Sequence, residues 1–474
     1  MQDPNHDWWS LSGQLSRRRF LELAGLAALV AAGCGGGNKQ QAQGPAVPKT
    51  KFREPSKNLS GDLRILMWSH FVPNHDKWFD PFAKDWGKRY GVNVTVDHID
   101  TATVPTRISA EISAGKGHDL IQHIAPLAQF EPSVVDMTDV TQEAVKRYGK
   151  QLEICHKSSF NPTTRKFFAY SPGWVPDPGD YRKSMWKKAG FPGGPHSWDD
   201  LLKGGAEVKK NQKVALGIGL SQEIDSNMAM RALMYSYGAS EQDENENVTI
   251  NSPETVAAVE YMTKLFNQAM TDEVFAWNAA SNNQGLISGE LSYILNSISG
   301  YRTSQQANPD VAADTAFVKA LKGPKTALVT SHVMYNWITP KYSKNVDAAK
   351  EFLLHYTENY AQATANSQLY DFPAFDDRVP QLDKWLDNDP YHSRPADLLA
   401  VLKDATSWST NVGHPGPSST AIGEVFGTFV IPNMFAAAAR GRKSPEQAVA
   451  DAEGQMKPIF EKWKRRGLIG GGSA

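Results

Sequence analysis

The chain has 474 residues, 41% of them hydrophobic, with Lys and Arg totalling 50 against 51 for Asp and Glu. That length predicts two or three domains. The near-even charge supplies no net field to draw nucleic acid or an anionic membrane surface, so no nucleic-acid partner is expected.

In chain order, the first element is a basic cluster, Arg17-Arg18-Arg19, followed by an apolar stretch from Leu21 to Ala32 and the small residues Gly33-Cys34. This order reads as an export signal over residues 1–34, and its apolar stretch is shorter than the roughly 20 residues needed to span a bilayer. Ser16 to Leu21 resembles a twin-arginine signal, and Cys34 stands where a lipobox places its acylated cysteine, with Ala31 in the position usually held by Leu. Residues 35–60 are rich in Gly, Gln, Pro and Lys and read as a flexible tether. The chain has two cysteines, so acylation of Cys34 would leave Cys155 without a thiol to form an intramolecular disulfide.

The body opens with an apolar strand, Asp62–Trp68, and a helix from His75 to Tyr90 whose Trp78, Phe79, Phe82 and Trp86 recur at helical spacing. A strand at Val92–Ile99, a helix at Pro105–Ala114 and a strand at Asp119–Ile124 follow. That alternation predicts a parallel sheet faced by helices. Downstream the reading gives strands at 166–170, 214–220, 291–295 and 333–338, and helices at 180–189, from Ser197, at 227–237, from Ser252-Pro253 to about Gln268, and at 345–356. Residues 396–467 read mainly as helix, with Ser444-Pro445-Glu446 as a capped start. The Gly-rich end, 468–474, reads as a flexible tail.

Several segments in this order resemble family 1 extracellular solute-binding proteins of the maltose-binding type. They are Asp119-Leu-Ile-Gln-His-Ile, Met137-Thr-Asp-Val, Phe167-Phe-Ala-Tyr-Ser-Pro-Gly-Trp, Ser197-Trp-Asp-Asp-Leu, Gly289-Glu-Leu-Ser-Tyr-Ile-Leu-Asn and Ile338-Thr-Pro-Lys-Tyr-Ser-Lys-Asn-Val-Asp-Ala-Ala-Lys-Glu-Phe-Leu. The family's usual Asn near Arg182 is missing, and Ser331-His332 replaces paired glycines. The resemblance implies an α/β, two-lobed periplasmic-binding-protein fold with hinge strands, the lobes covering 61–170 plus 322–370 and 171–321 plus 371–467. Taken with the export signal and Cys34, it implies an exported, lipid-anchored monomer in the periplasm or on the outer face of the cell membrane, which captures a carbohydrate and hands it to the permease of an ABC transporter without a cofactor.

Aromatic faces bind the C–H patches of a sugar, and fixed amides, carboxylates and hydroxyls bind its ring of hydroxyls. Ligands of open parallel sheets sit beyond the carboxyl ends of the strands, which makes Trp68, His70, Phe71, Gln122, His123, Asn296 and Tyr301 candidates. Trp174 and Asp177 follow the crossing segment. Trp277, in a polar loop, is the expected stacking platform, and His332, Asp371 and Trp408 complete the set. A secreted glycoside hydrolase is the competing reading, with a carboxylate pair such as Asp177 and Asp371. Ser184-Met-Trp-Lys187 lacks the companion motifs of penicillin-recognising enzymes. The 12 histidines show no His-x-x-x-His or Cys-x-x-Cys spacing, so no dedicated metal site is expected.

Overall fold

A computed structural model of the chain describes residue 45 and residues 47–471. The basic cluster Arg17–Arg19, Cys34 and the last three residues lie outside these. Among the described residues no single helix is long and apolar enough to cross a membrane.

The chain opens with β1 (Gly61–Trp68), α1 (Asn74–Tyr90), β2 (Val92–Ile99), α2 (Val104–Ala114), β3 (Leu120–His123) and α3 (Thr138–Tyr148). There follow β4 (Gly173–Val175), β5 (Gly179–Arg182), α4 (Trp198–Gln212), β6 (Ala215–Gly217), α5 (Ile224–Tyr237), α6 (Pro253–Ala269), β7 (Leu291–Leu295), α7 (Ser299–Ala307) and β8 (Thr315–Val318). Next come β9 (Val333–Met334), β10 (Asn336–Ile338), α8 (Val346–Glu358), α9 (Tyr360–Asn366) and β11 (Phe372–Pro373). The last elements are α10 (Thr420–Gly427), α11 (Val430–Ala439) and α12 (Pro445–Arg465).

Local chemistry accounts for many of these boundaries. Ser197, Ser252 and Ser444 each accept a backbone N–H at a helix start, and Ser444 with Gln447 forms a full capping box. Gly91 ends α1 in the left-handed region at φ 72°, where a residue without Cβ is at ease. The aromatic face of α1 is core: Phe79 packs on Trp337 at 6.1 Å between ring centroids and Trp86 on Phe352 at 5.3 Å. Burying each such ring contributes about 1.5–3 kcal/mol.

The first sheet has the order β10-β3-β1-β2, with β1 parallel to β2 and β3, and β10 antiparallel at its edge. The second, β8-β5-β7-β6, is parallel only between β6 and β7. Alternation of strand and helix in a sequence identifies elements but not the direction in which distant strands pair, so this mixed sheet was not foreseeable from it. A third, small sheet has β4 at its centre, with β9 and β11 antiparallel on either side. β4 leads through Pro176-Asp177-Pro178 into β5 of the second sheet, and β9 leads through Tyr335 into β10 of the first. The small sheet is therefore where the chain passes between the two larger ones.

Five expectations change. The tail expected over 468–474 is pinned in its described part, with Ile469 buried and Gly470 N–H donating to Glu246 Oε2 at 2.7 Å. Residues 179–182 form a strand, and the helix expected from Asp180 is confined to Lys183–Lys188; pairing with β7 and β8 overrides local propensity there. The strand expected over 333–338 splits between two sheets. Residues 396–419 hold short 3₁₀ turns and a two-residue strand rather than helix. Residues 47–60, expected to belong to the tether, are strapped to the first half by polar bonds that a count of apolar residues misses. Lys51 N–H donates to Asn359 Oδ1 at 2.7 Å, Gln362 Nε2 to the Pro48 carbonyl at 3.0 Å, and Ser56 N–H to Glu351 Oε1 at 2.8 Å.

Candidate functional site

Strand ends and the loops after them gather polar side chains on both flanks of the small crossing sheet. On the first flank the turn after β1 turns His70 inward. Val72 N–H donates to His70 Nδ1 at 2.9 Å, so the ring proton sits on Nε2, which lies 3.1 Å from Asp371 Oδ1 and 3.3 Å from Tyr335 Oη. Tyr335 Oη donates to the same carboxylate oxygen at 2.6 Å. His75, from the first turn of α1, stacks on His70 with centroids 4.4 Å apart and brings its Nε2 to 3.6 Å from Asp371 Oδ2. Ligand-type atoms of His70, His75 and Asp371 all lie within 4.8 Å of one another.

On the second flank His332 bridges two carboxylates. Its Nδ1 stands 3.0 Å from Asp177 Oδ1, close enough for charge pairing though off the axis of a straight hydrogen bond, and its Nε2 stands 4.0 Å from Asp225 Oδ1. Asn282 Nδ2 donates to Asp225 Oδ2 at 2.8 Å, Asn296 Nδ2 to Asn283 Oδ1 at 2.5 Å, and Asn283 Nδ2 to Ser299 Oγ at 3.1 Å. Tyr370 lies between the flanks, presenting its ring edge-on to His70 at 5.2 Å and to His332 at 6.3 Å.

Burial works against a charge on His332, but the Asp177 carboxylate, with Asp225 and Glu223 behind it, outweighs burial and holds its pKa above the ordinary histidine value. Burial, helped by repulsion from Asp177, raises Asp180 well above the usual carboxylate range. Burial also raises Glu223 and Asp225. His123 is pushed down to about 3 by burial alone.

Several buried polar atoms here have no hydrogen-bond partner among the described residues: both amide atoms of Gln122, His123 Nδ1, Asp225 Oδ1, Tyr370 Oη and Asp371 Oδ2. Buried groups of this kind are normally satisfied by protein, water or ligand. Together they offer carboxylate and amide oxygens as acceptors and amide and phenol groups as donors, the mixture that hydroxyl groups require. Between the halves, a cavity of about 10 Å³ separates Ile124, Ala125 and Pro126 from Met228, Val412 and Ser418, space for about one water.

Trp68 is buried, its ring against His70 and Phe71 at 4.8 and 5.0 Å, and Phe71 is half-buried. Gln122 and His123 end β3 opposite Trp337 and Asn336. Asp177 and His332 meet on the second flank, where Asn296 N–H donates to the Pro178 carbonyl at 3.2 Å, and His70 and Asp371 meet on the first. Trp174 is buried in β4 against Phe372, a hinge position rather than an open platform. Tyr301 packs on Phe317 at 5.5 Å, and Trp408 is buried with its Nε1 donating to Asp404 at 3.2 Å. Trp277 is half-buried and lines a separate groove of about 680 Å³ with Gln222, Phe275, Asn433, Arg440 and Gln455. Ser184 and Lys187 are exposed, and Ser184 Oγ is engaged by Asp314 at 2.7 Å. Sequence reading missed His75, Tyr335, Asp225, Asn282 and Asn283. His75 lies on the helix read as aromatic core, and Asp225 and Asn282 lie on helix starts far apart in the chain.

The sequence profile described as bacterial extracellular solute-binding protein matches residues 73–363. The arabinooligosaccharide-binding protein of Bacillus subtilis (strain 168) is 22% identical over 476 residues, covering 92% of this chain and 98% of that protein. Among solved structures, the maltose-bound MalE3 of T. maritima superposes with a TM-score of 0.69 at 18% identity, covering 84% of this chain and 100% of that one. A solute-binding protein of an ABC transporter from Thermotoga lettingae TMO, bound with alpha-D-tagatose, gives 0.69 at 16% identity over 84% of this chain and 100% of that one.

Proposed function

The chain belongs to the bacterial extracellular solute-binding proteins, and on that premise we propose that it captures a carbohydrate between its two halves and delivers it to the permease of an ABC transporter. The observation that carries this reading is the double polar lining around the crossing sheet. Donors and acceptors left unpartnered by the protein line the junction of two α/β halves joined by short strands. A sugar bridging both linings would favour the closed form, because only that form contacts it from two sides.

We place the lobes at 61–170 plus 322–370 and 171–321 plus 371–467, a division that the passages at β4 and β11 support. The ligand-binding residues are His70, Phe71, Gln122, His123, Asp177, Asn296, His332 and Asp371, with Trp68 and Trp174 behind them. Trp277 serves a sugar residue that extends into its groove. The protein is exported through the signal at residues 1–34, anchored by a lipid on Cys34, and acts as a monomer.

Titration of the mature protein with mono- and oligosaccharides, followed by tryptophan fluorescence and by assay for new reducing ends, tests this function. Saturable binding without product is expected. Turnover would transfer the site to the hydrolase reading, and no binding across the panel would remove carbohydrate as the ligand.

A further inference from the structure

We propose that His75 and Asp371, joined by His70, form a binding site for a divalent transition-metal ion of the zinc type at the hinge end of the first half. The site shares His70 and Asp371 with the lining assigned above to the sugar, so an ion and a sugar hydroxyl compete for Asp371 Oδ2.

The geometry of one pair points there. His75 Nε2 and Asp371 Oδ2 are 3.6 Å apart, and neither has a hydrogen-bond partner among the described residues. That separation is too long for a hydrogen bond. Two donors about 2.0–2.2 Å from a common ion at a near-tetrahedral angle stand roughly 3.4 Å apart, close to what is seen. Both residues are buried, at 1% and 0% exposure.

The surroundings fix the polarity of the pair. Asp76 Oδ1 faces His75 Nδ1 at 3.4 Å, which places the ring proton on Nδ1 and turns the Nε2 lone pair toward a carboxylate oxygen. That proton position leaves the His75 Nε2 lone pair opposite an acceptor oxygen of Asp371. A cation between the two atoms converts that repulsion into ligation. A carboxylate behind the far nitrogen of a ligating histidine is the outer-shell arrangement that orients metal-bound imidazoles. Imidazole with carboxylate suits zinc, cobalt or nickel better than calcium or magnesium.

His70 is the conditional ligand. Its Nε2 proton is shared with Asp371, and it enters the coordination sphere when that proton moves to Nδ1 and the Val72 amide lets go. Toward the surface the chain of polar groups continues: His98 Nδ1 lies 3.6 Å from Asp76 Oδ2 and His98 Nε2 lies 2.8 Å from Asp80 Oδ1, the Asp80 side chain being 34% exposed. The three ligands come from two separate stretches of chain, which is why histidine spacing in the sequence gave no sign of them.

The test uses tag-free mature protein freed of metal by chelator, then titrated with CoCl₂ and ZnCl₂ by visible absorption and calorimetry. One ion per chain is expected, with a cobalt d–d band. His75→Gln and Asp371→Asn abolish it, Asp76→Asn weakens it by about 10–100-fold as outer-shell changes do, and the exposed control His196→Gln leaves it intact. Circular dichroism establishes that each variant is folded. Should Asp371→Asn fail to fold, His75→Gln and Asp76→Asn decide the matter. No binding to the unmodified protein, or binding undiminished in His75→Gln, overturns the proposal.

Discussion

Replacing His332 by Gln tests the electrostatic reading of the second flank. The imidazolium pairs with Asp177 at 3.0 Å and Asp225 at 4.0 Å, with side-chain exposures of 3%, 1% and 8%. Glutamine keeps polarity and approximate size but removes the charge. Taking one partner from a buried ion pair costs about 3–5 kcal/mol, because the opposite charge remains in a dry site. Since Asp225 is itself raised toward its neutral form, the low end, about 3 kcal/mol, is expected here. The pH dependence separates charge from shape. The folded pKa of His332 lies above its ordinary value of 6.5, so the native state binds this proton more tightly than the unfolded one. Its stabilisation is complete below pH 6.5 and is lost as pH rises through the folded value. Urea unfolding at pH 6 and pH 9 should therefore show a large deficit for His332→Gln at the lower pH and a smaller one at the higher. An equal deficit at both would mean that packing, not charge, explains the residue.

Burial pushes the His355 pKa down to about 3, so the native state resists protonation and loses stability as pH falls from 6.5 toward that value. The loss is about 1.4 kcal/mol per pH unit, and acid titration of His355→Phe should have a shallower limb. A Cβ on Gly173 would overlap the Tyr360 hydroxyl and meet the Phe372 carbonyl at 2.7 Å, so Gly173→Ala should lower the melting temperature at a cost of about 1–3 kcal/mol from overpacking. Arg302 and Asp389 form a buried two-pronged pair at 2.6 and 3.1 Å. Arg302→Met and Asp389→Leu should each cost about 3–5 kcal/mol, and the double variant less than their sum, in denaturant unfolding. Trp277→Ala should weaken binding of oligosaccharides by about 1 kcal/mol, read by calorimetry, and leave monosaccharides untouched.

Elements with strong local signals were legible. The strand at 92–99 alternates apolar and polar residues, the one at 291–295 is apolar but for Ser292, and Ser197, Ser252 and Ser444 announce their helices through capping chemistry. What stayed hidden is set by pairing between distant residues. Asp180 lies in the middle of a strand, where a carboxylate is a poor strand signal, and burial raises its pKa and disfavours its charge there. Tyr335 separates two strands that belong to different sheets, a break with no mark in the sequence. Of the candidate site residues, His70 with Asp371 and Asp177 with His332 meet across 301 and 155 positions of sequence. Each was nominated by its place near a strand end, but their partnership arises only when the crossing strands bring them together. Trp277 and Trp174 show the opposite: their aromatic character was plain, but whether each ring faces a hinge, a groove or a ligand is decided by packing.

Small-angle X-ray scattering of the mature protein with and without a saturating oligosaccharide tests most directly whether the two halves close on a captured sugar. A radius of gyration that falls on binding, with the sugar recovered intact, is the expected result. Tight binding with an unchanged scattering curve would contradict capture between moving halves.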